Sequence, residues 1–195
     1  MKRLLMVVPL ATFVASALVA LPASADDRRC RGTIGPVSID DNVIVPQGAR
    51  CVLNGTRVGG NVEVKRGGRL VARGVKVDGN IQTQAHGSVL VKPRRVDDRV
   101  VRSRIEGDIQ IESGGRGIVR RATIGGNLQT KQNGGRQVAI RNVIDGDLQA
   151  FSNRGGVRIR GNVIDGNLQC KSNSPSPVGG DNRVHGDKEG QCRNL

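Results

Sequence analysis

Cys30, Cys51, Cys170 and Cys192 are the side chains whose chemistry and spacing constrain this chain most. The first pair is separated by 21 residues and the second by 22. In an exported protein such thiols oxidise to disulfides. Zinc binding by four cysteines calls for closely spaced CxxC pairs, which are absent, and only His86 and His185 accompany them. Two further groupings have the makings of a cation site. Glu106-Gly107-Asp108 and Asp145-Gly146-Asp147 each set two carboxylates around a glycine, as hard cations such as calcium favour. The nine-residue calcium repeat is missing, however, and asparagine stands in the equivalent places at Asn61, Asn80, Asn127 and Asn167. With Asp108 and Asp147 these read as a ladder of amides and carboxylates bonded to one another or to corner backbone. No cofactor is expected.

The remaining chemistry is positive charge. Lysine and arginine number 31 against 17 acids, a formal net charge of +14. Such a surface is drawn to anionic polymers, with a strength that falls as salt rises. The densest run comprises Lys92, Arg94, Arg95, Arg99, Arg102 and Arg104, a candidate anion-binding site, with Arg121 and Arg141 near it if the repeat described below keeps its register. The plainer reading of that run is a solvated insertion, and of the net charge, solubility.

Catalytic groupings are sparse. Glycoside hydrolysis and related chemistry need paired carboxylates at a defined separation in one cleft. Here the acids recur periodically, and after an N-terminal leader Phe151 is the sole aromatic, so platforms for stacking sugars or bases are missing. The chain is therefore expected not to be an enzyme, a polysaccharide-active one being the remoter alternative, and not to bind nucleic acid.

What must position these residues is a repeat. A phrase of aliphatic, any residue, Gly, Asn or Asp, aliphatic, Gln or Glu recurs with its glycine at Gly60, Gly79, Gly107, Gly126, Gly146 and Gly166. Degenerate copies stand at Ile39 to Ile44 and Val184 to Glu189. A period near 20 with a glycine corner marks a solenoid, in which each coil buries its apolar face only by stacking on the next. Two further turn signals per period, as at Gly134-Gly135 and Arg141-Asn142, make three corners and hence three sides. Glycine and asparagine suit the left-handed backbone that sharp corners require. Between corners, alternation such as Val62-Glu63-Val64 and Val157-Arg158-Ile159 predicts short strands with one face inside. The 28 glycines argue against helix. The expected fold is all-β: a right-handed parallel β-helix, a three-sided solenoid of about 20 residues per coil.

One coil is longer than the rest. Gly79 and Gly107 are 28 residues apart, so residues 92–102 are expected to leave the coil as a loop insertion, and insertions in solenoids map to surface loops that often carry binding. Each cysteine pair spans about one period, which puts its members on adjacent rungs about 4.8 Å apart, within the range of about 4.4–6.8 Å that a disulfide accepts. Both ends should thus be capped by Cys30–Cys51 and Cys170–Cys192.

At the N-terminus, Lys2-Arg3, an apolar run from Leu4 to Ala20 and Ala23-Ser24-Ala25 read as a cleavable signal peptide over residues 1–25, leaving a single domain over 26–195 with no transmembrane segment. The expected location is secreted, extracellular or cell-wall associated.

The corner phrases from about Ile39 to Glu189 resemble those of the bactofilins, polymer-forming cytoskeletal proteins. The resemblance implies a right-handed three-sided β-helix, no cofactor and end-to-end self-association into scaffolds near the cell envelope. The chain departs from that family in its export signal and four cysteines. The combined expectation is a secreted, noncatalytic β-solenoid, structural or binding in role, whose partners are anionic cell-surface polymers. The alternative is a self-assembling bactofilin-like scaffold.

Overall fold

Twenty residues cannot bury a hydrophobic core alone, and the solution adopted here is to stack them. The computed structural model describes residues 27–195, so the leader expected over residues 1–25 and the chain start at Asp26 lie outside the described residues. Among the described residues every regular element is a β-strand. A typical coil runs through Val62–Val64 on a first face, Arg69–Arg73 on a second and Lys76–Val77 on a third. Successive coils repeat this path, giving three parallel sheets of nine, eight and eight strands. This is the three-sided parallel solenoid anticipated from the period.

Register explains the alternation. On the first face Val43, Val62, Ile81, Ile109, Leu128, Leu148 and Leu168 are paired rung to rung, and all are buried. Their neighbours Glu63, Gln82, Gln110, Gln129, Gln149, Gln169 and Glu189 form the adjacent outward column. Each inward aliphatic contributes about 1.5–3 kcal/mol on burial. Because side chains alternate with period two, a slip of one residue would exchange the two columns, so the core fixes the register.

The glycines of the main corner phrase do not serve to supply left-handed backbone, which the other two corners hold. Gly79, Gly107, Gly126, Gly146 and Gly166 are absent from the positions of positive φ. A Cβ on Gly107 would instead lie 2.2 Å from the Asn80 Oδ1 of the coil before, and one on Gly166 would lie 2.3 Å from the Asp147 Oδ1. Close approach, and not backbone handedness, selects glycine there. The left-handed positions belong to the other two corners, where non-glycines such as Ser113, Gln132, Arg121 and Arg141 occupy them.

The polar atoms that crowd those glycines form a continuous ladder. The backbone N–H of Asn61 donates to Asn42 Oδ1, that of Asn80 to Asn61 Oδ1, and the series continues through Asp108, Asn127, Asp147 and Asn167 to Asp187, with N···O distances of 2.6–2.9 Å. From Asn80 onward amide and carboxylate alternate, which keeps any two carboxylates at least two rungs apart.

Cystines close both ends, joining Cys30 to Cys51 and Cys170 to Cys192 with Cα–Cα distances of 5.4 and 5.2 Å. In the chain-entropy model a loop of this size contributes about 3 kcal/mol per bridge, placed where a stack would otherwise fray.

The long coil departs from expectation in form. Residues 92–102 are not an irregular loop: Arg94–Val96 and Arg99–Val101 pair antiparallel as a hairpin that leaves the stack between the second and third faces. Ser103 then re-enters the core and its hydroxyl donates to the Lys92 carbonyl, closing the base of the hairpin. The hairpin lies against two glycine corners. A Cβ on Gly55 would meet Arg94 Nη1 at 2.1 Å, and one on Gly74 would meet the Arg94 Cβ at 2.7 Å.

Candidate functional site

The three faces differ in charge because of what stands outside each inward column. On the second face the strands carry Arg50, Arg69, Arg73, Lys92, Arg116, Arg120, Arg158 and Arg160 and no acid. Arg50 pairs in register with Arg69, then Ser88, then Arg116. Two residues along the strand, Val52, Val71, Leu90, Ile118 and Val138 make an aliphatic ridge. Two further on lie Asn54, Arg73 and Lys92, and in later coils Arg120, Ile140 and Arg160. The second face is therefore an apolar ridge flanked by columns of cations, with steps of about 4.8 Å along each column.

The third face is neutralised. Its strands are followed by Asp78, Glu106, Asp145 and Asp165, and ion pairs form there between Arg57 and Asp78, Lys76 and Asp78, and Arg104 and Glu106, while His185 Nδ1 lies 2.8 Å from Asp165 Oδ1. The Lys76 hydrogen bond holds the Asp78 carboxyl below its usual range, and the Arg104 fork does the same for Glu106. On the second face the ion pair found among the described residues is Arg160 with Asp181, at its C-terminal end.

The first face is polar. Gln129 donates to Gln149, Gln149 to Gln169 and Gln169 to Glu189 at 2.9–3.1 Å, an amide stripe. A concavity of about 630 Å³ beside it is lined by Glu63, Lys65, Gln82, Gln110 and Glu112 among others, and the Lys65–Glu63 pair balances part of its charge.

The cations singled out from the sequence are dispersed by the hairpin. Lys92 stays on the second face. Arg94 folds back over the preceding coils, its guanidinium donating to the Asn54 carbonyl at 3.5 Å. Arg104 belongs to the third face and is held by Glu106 through contacts of 2.8 and 3.2 Å. Arg95, Arg99 and Arg102 are exposed along the hairpin and its return. The six therefore do not converge on one anion. A different set does: Lys92, Arg120, Arg121, Arg136, Arg141 and Arg158, with Pro93 and Ile140, line a cavity of about 450 Å³ at the foot of the hairpin. Arg121 and Arg141 were within reach of sequence reasoning through the coil register. Arg120, Arg136 and Arg158 were not singled out, although Arg158, between the buried Val157 and Ile159, is placed outward by alternation alone.

The ladder residues Asn61, Asn80, Asp108, Asn127, Asp147 and Asn167 each spend Oδ1 on a backbone N–H of the following coil. Among the described residues no group of three or more His, Cys, Asp or Glu is arranged to hold a metal.

Sequence reasoning missed two interior ladders. Asn133, Asn153 and Asn173 line one corner and Asn142, Asn162 and Asn182 another, all buried. Asn153 Nδ2 donates to the Thr130 carbonyl at 3.0 Å and to Asn173 Oδ1 at 2.9 Å, while its Oδ1 accepts from the Asn133 backbone and amide. At the place equivalent to Asn133 the long coil has His86, whose ring occupies the space that a side chain at Gly114 would fill. His86 is 3 % exposed, its Nδ1 is 3.0 Å from Thr83 Oγ1, and its Nε2 has no partner among the described residues.

Burial pushes the His86 pKa below its ordinary value, the nearby Glu112 backbone opposing it in smaller part. The unfolded chain then takes up a proton before the folded one does. Stability is full above about pH 6.5 and declines as pH falls from there toward the folded-state pKa. The thermal midpoint should accordingly drop between neutral pH and mildly acidic pH, and the drop should shrink in a His86→Asn variant measured alongside by circular dichroism.

Comparison with protein-family models, with curated proteins and with solved structures gave no match.

Proposed function

We propose that this protein is a secreted, noncatalytic β-solenoid that binds anionic polymers of the cell surface along its second face. The observation that carries the reading is the segregation of charge: one face keeps its cations free of strand-borne acids, while the acids gather against the cations of another. A disulfide-bearing β-solenoid fits an extracellular structural module, and two cystines persist in oxidising surroundings. A rigid face with cations repeated about every 4.8 Å suits a linear ligand whose charges also repeat. The aliphatic ridge between the columns would cover the carbon skeleton of such a ligand.

The test is binding of the oxidised chain to long-chain polyphosphate, followed by sedimentation over a salt series. Affinity should fall steeply, by several-fold or more between about 50 and 200 mM salt, as counterion release requires. Retention that ignores salt, or no retention at all, would contradict the proposal.

A second reading has one observation in its favour. Among the described residues the nine-stranded sheet ends in strands paired on one edge only, Arg28–Arg29 at one end and Lys188–Gly190 at the other. Such edges are templates for pairing, and end-to-end stacking would give a bactofilin-like scaffold. Salt-insensitive, concentration-dependent polymers in the same sedimentation runs would favour it.

A further inference from the structure

The cavity at the foot of the hairpin differs from the rest of the second face in three ways. First, cations from several coils and from two corners meet there: Lys92 and Arg120 from one column, Arg158 from the ridge column, Arg121 and Arg141 from the turn toward the third face, and Arg136 from the opposite end of the strands. None of these six side chains is engaged in an ion pair or hydrogen bond among the described residues. Bringing that many like charges around one concavity is unfavourable for folding, and an anion between them would relieve it. Second, the cation column is interrupted at its centre. Ile140 stands between Arg120 and Arg160, so the middle of the site has a short apolar floor with guanidinium groups on its rim. Third, Arg121 and Arg141 are held at φ of 50° and 56°, a region that L-residues enter at a cost. The equivalent positions of other coils are Gly55, Gly74 and Gly161, which carry no such cost, and Asp181 at φ of 58°, which is paired with Arg160.

An apolar floor ringed by guanidinium forks is matched to a particular ligand chemistry. Arginine presents paired donors that fit the oxygens of a phosphoryl group, whereas a diffuse field of cations would accept any anion. Ile140 and Pro93 supply a surface for C–H groups. The volume of about 450 Å³ lies within the range of about 300–1,000 Å³ usual for small-ligand pockets. We infer that this cavity binds the phosphoryl group of a phosphorylated polyol or sugar, free or as a unit of a polymer, with its carbon body on Ile140 and Pro93. The inference rests on the anion-binding reading of the second face and names the ligand chemistry of one place on it.

The experiment is an NMR titration of the oxidised chain with glycerol 3-phosphate, inorganic phosphate and glycerate, with poly(glycerol phosphate) as a separate arm. Glycerol 3-phosphate should bind about tenfold more tightly than glycerate and more tightly than inorganic phosphate, shifting the amides of Ile140 and Val138. Competition of the polymer for the same amides would show that it presents the same group to the cavity. Substituting Arg120→Lys, Arg141→Lys and Arg158→Lys together keeps the charge and removes the forks. It should abolish the preference for phosphate over carboxylate while leaving salt-dependent binding of polyphosphate in place. Equal affinity for the three small anions, or no response at Ile140, would overturn the assignment even if polyphosphate still binds. Loss of polyphosphate binding by the unaltered chain would overturn the wider reading as well.

Discussion

Asn153→Ala is expected to lower the stability of the oxidised chain by about 4 kcal/mol, an effect larger than most single substitutions produce. The amide is fully buried in a corner and serves three rungs at once. Its Nδ2 satisfies the Thr130 carbonyl, and it links the Asn133 amide on one side to Asn173 on the other. Removing it leaves the Asn133 N–H without its acceptor and the Thr130 carbonyl without the Nδ2 donor, while Asn173 Oδ1 keeps the residue-153 backbone N–H; each buried group so deprived costs about 1–3 kcal/mol, with a cavity in addition. Because coils interact only with neighbours, the damage should be local in origin. Amide exchange should rise first at Thr130 to Asn133 and at Ser172 to Asn173, and the coils from Val43 to Val77 should keep their protection. Uniform loss of protection along the whole chain would contradict the ladder account. An Asn127→Ala variant offers a comparison: Asn127 Oδ1 accepts the Asp147 N–H in a half-buried corner open to water, so its removal should cost clearly less.

The contrast between those two asparagines shows how much of the fold the sequence displayed. The phrase around Gly126-Asn127 repeats with aliphatic residues on both sides, so its period, its ladder and the rung-to-rung pairing of the cysteines could be read directly. Asn153 sits in Ser152-Asn153-Arg154, where Ser and Asn are common turn formers and nothing apolar marks the direction of the side chain. Only the left-handed backbone of Ser152, with φ of 56°, turns the next residue inward. The signal available was the exact recurrence of asparagine at 133, 153 and 173, against the variability of the residues around it. The corner glycines carry a related lesson. Their presence was legible, but the reason for it lies in an oxygen of the neighbouring coil, a contact that no local sequence window contains.

The candidate site was legible in outline. The excess of cations and the long coil were both visible, and the period pointed to Arg121 and Arg141, which line one cavity with Lys92 alone of the six cations expected beside them. What charge density along the chain could not reveal is that the insertion folds into a hairpin and carries Arg95 and Arg99 off the face, while Arg94 and Arg104 are committed to the Asn54 carbonyl and to Glu106. A linear cluster of charges reports neighbours in sequence. In a solenoid the neighbours that matter are one coil away.

The second large effect concerns binding, and it depends on where charge is removed. Arg50, Arg69 and Arg116 are exposed members of one column of the second face and have no ion-pair partner among the described residues. Arg57, Arg104 and Arg183 are exposed on the third face, and the first two are paired with Asp78 and Glu106. Changing either trio to glutamine alters the net charge equally, so any difference between the variants reports the face and not the total. If each free cation near an anionic surface contributes about 1 kcal/mol, losing the second-face trio should weaken polyphosphate binding about a hundredfold at low salt and flatten the salt dependence by about three counterions. The third-face trio should change affinity by less than about threefold, since its cations are largely compensated by adjacent carboxylates. The decisive measurement is therefore the polyphosphate affinity of these two variants, side by side, across one salt series. The account predicts a steep loss for the second-face variant alone; equal losses in both would show that net charge and not the ordered face governs binding.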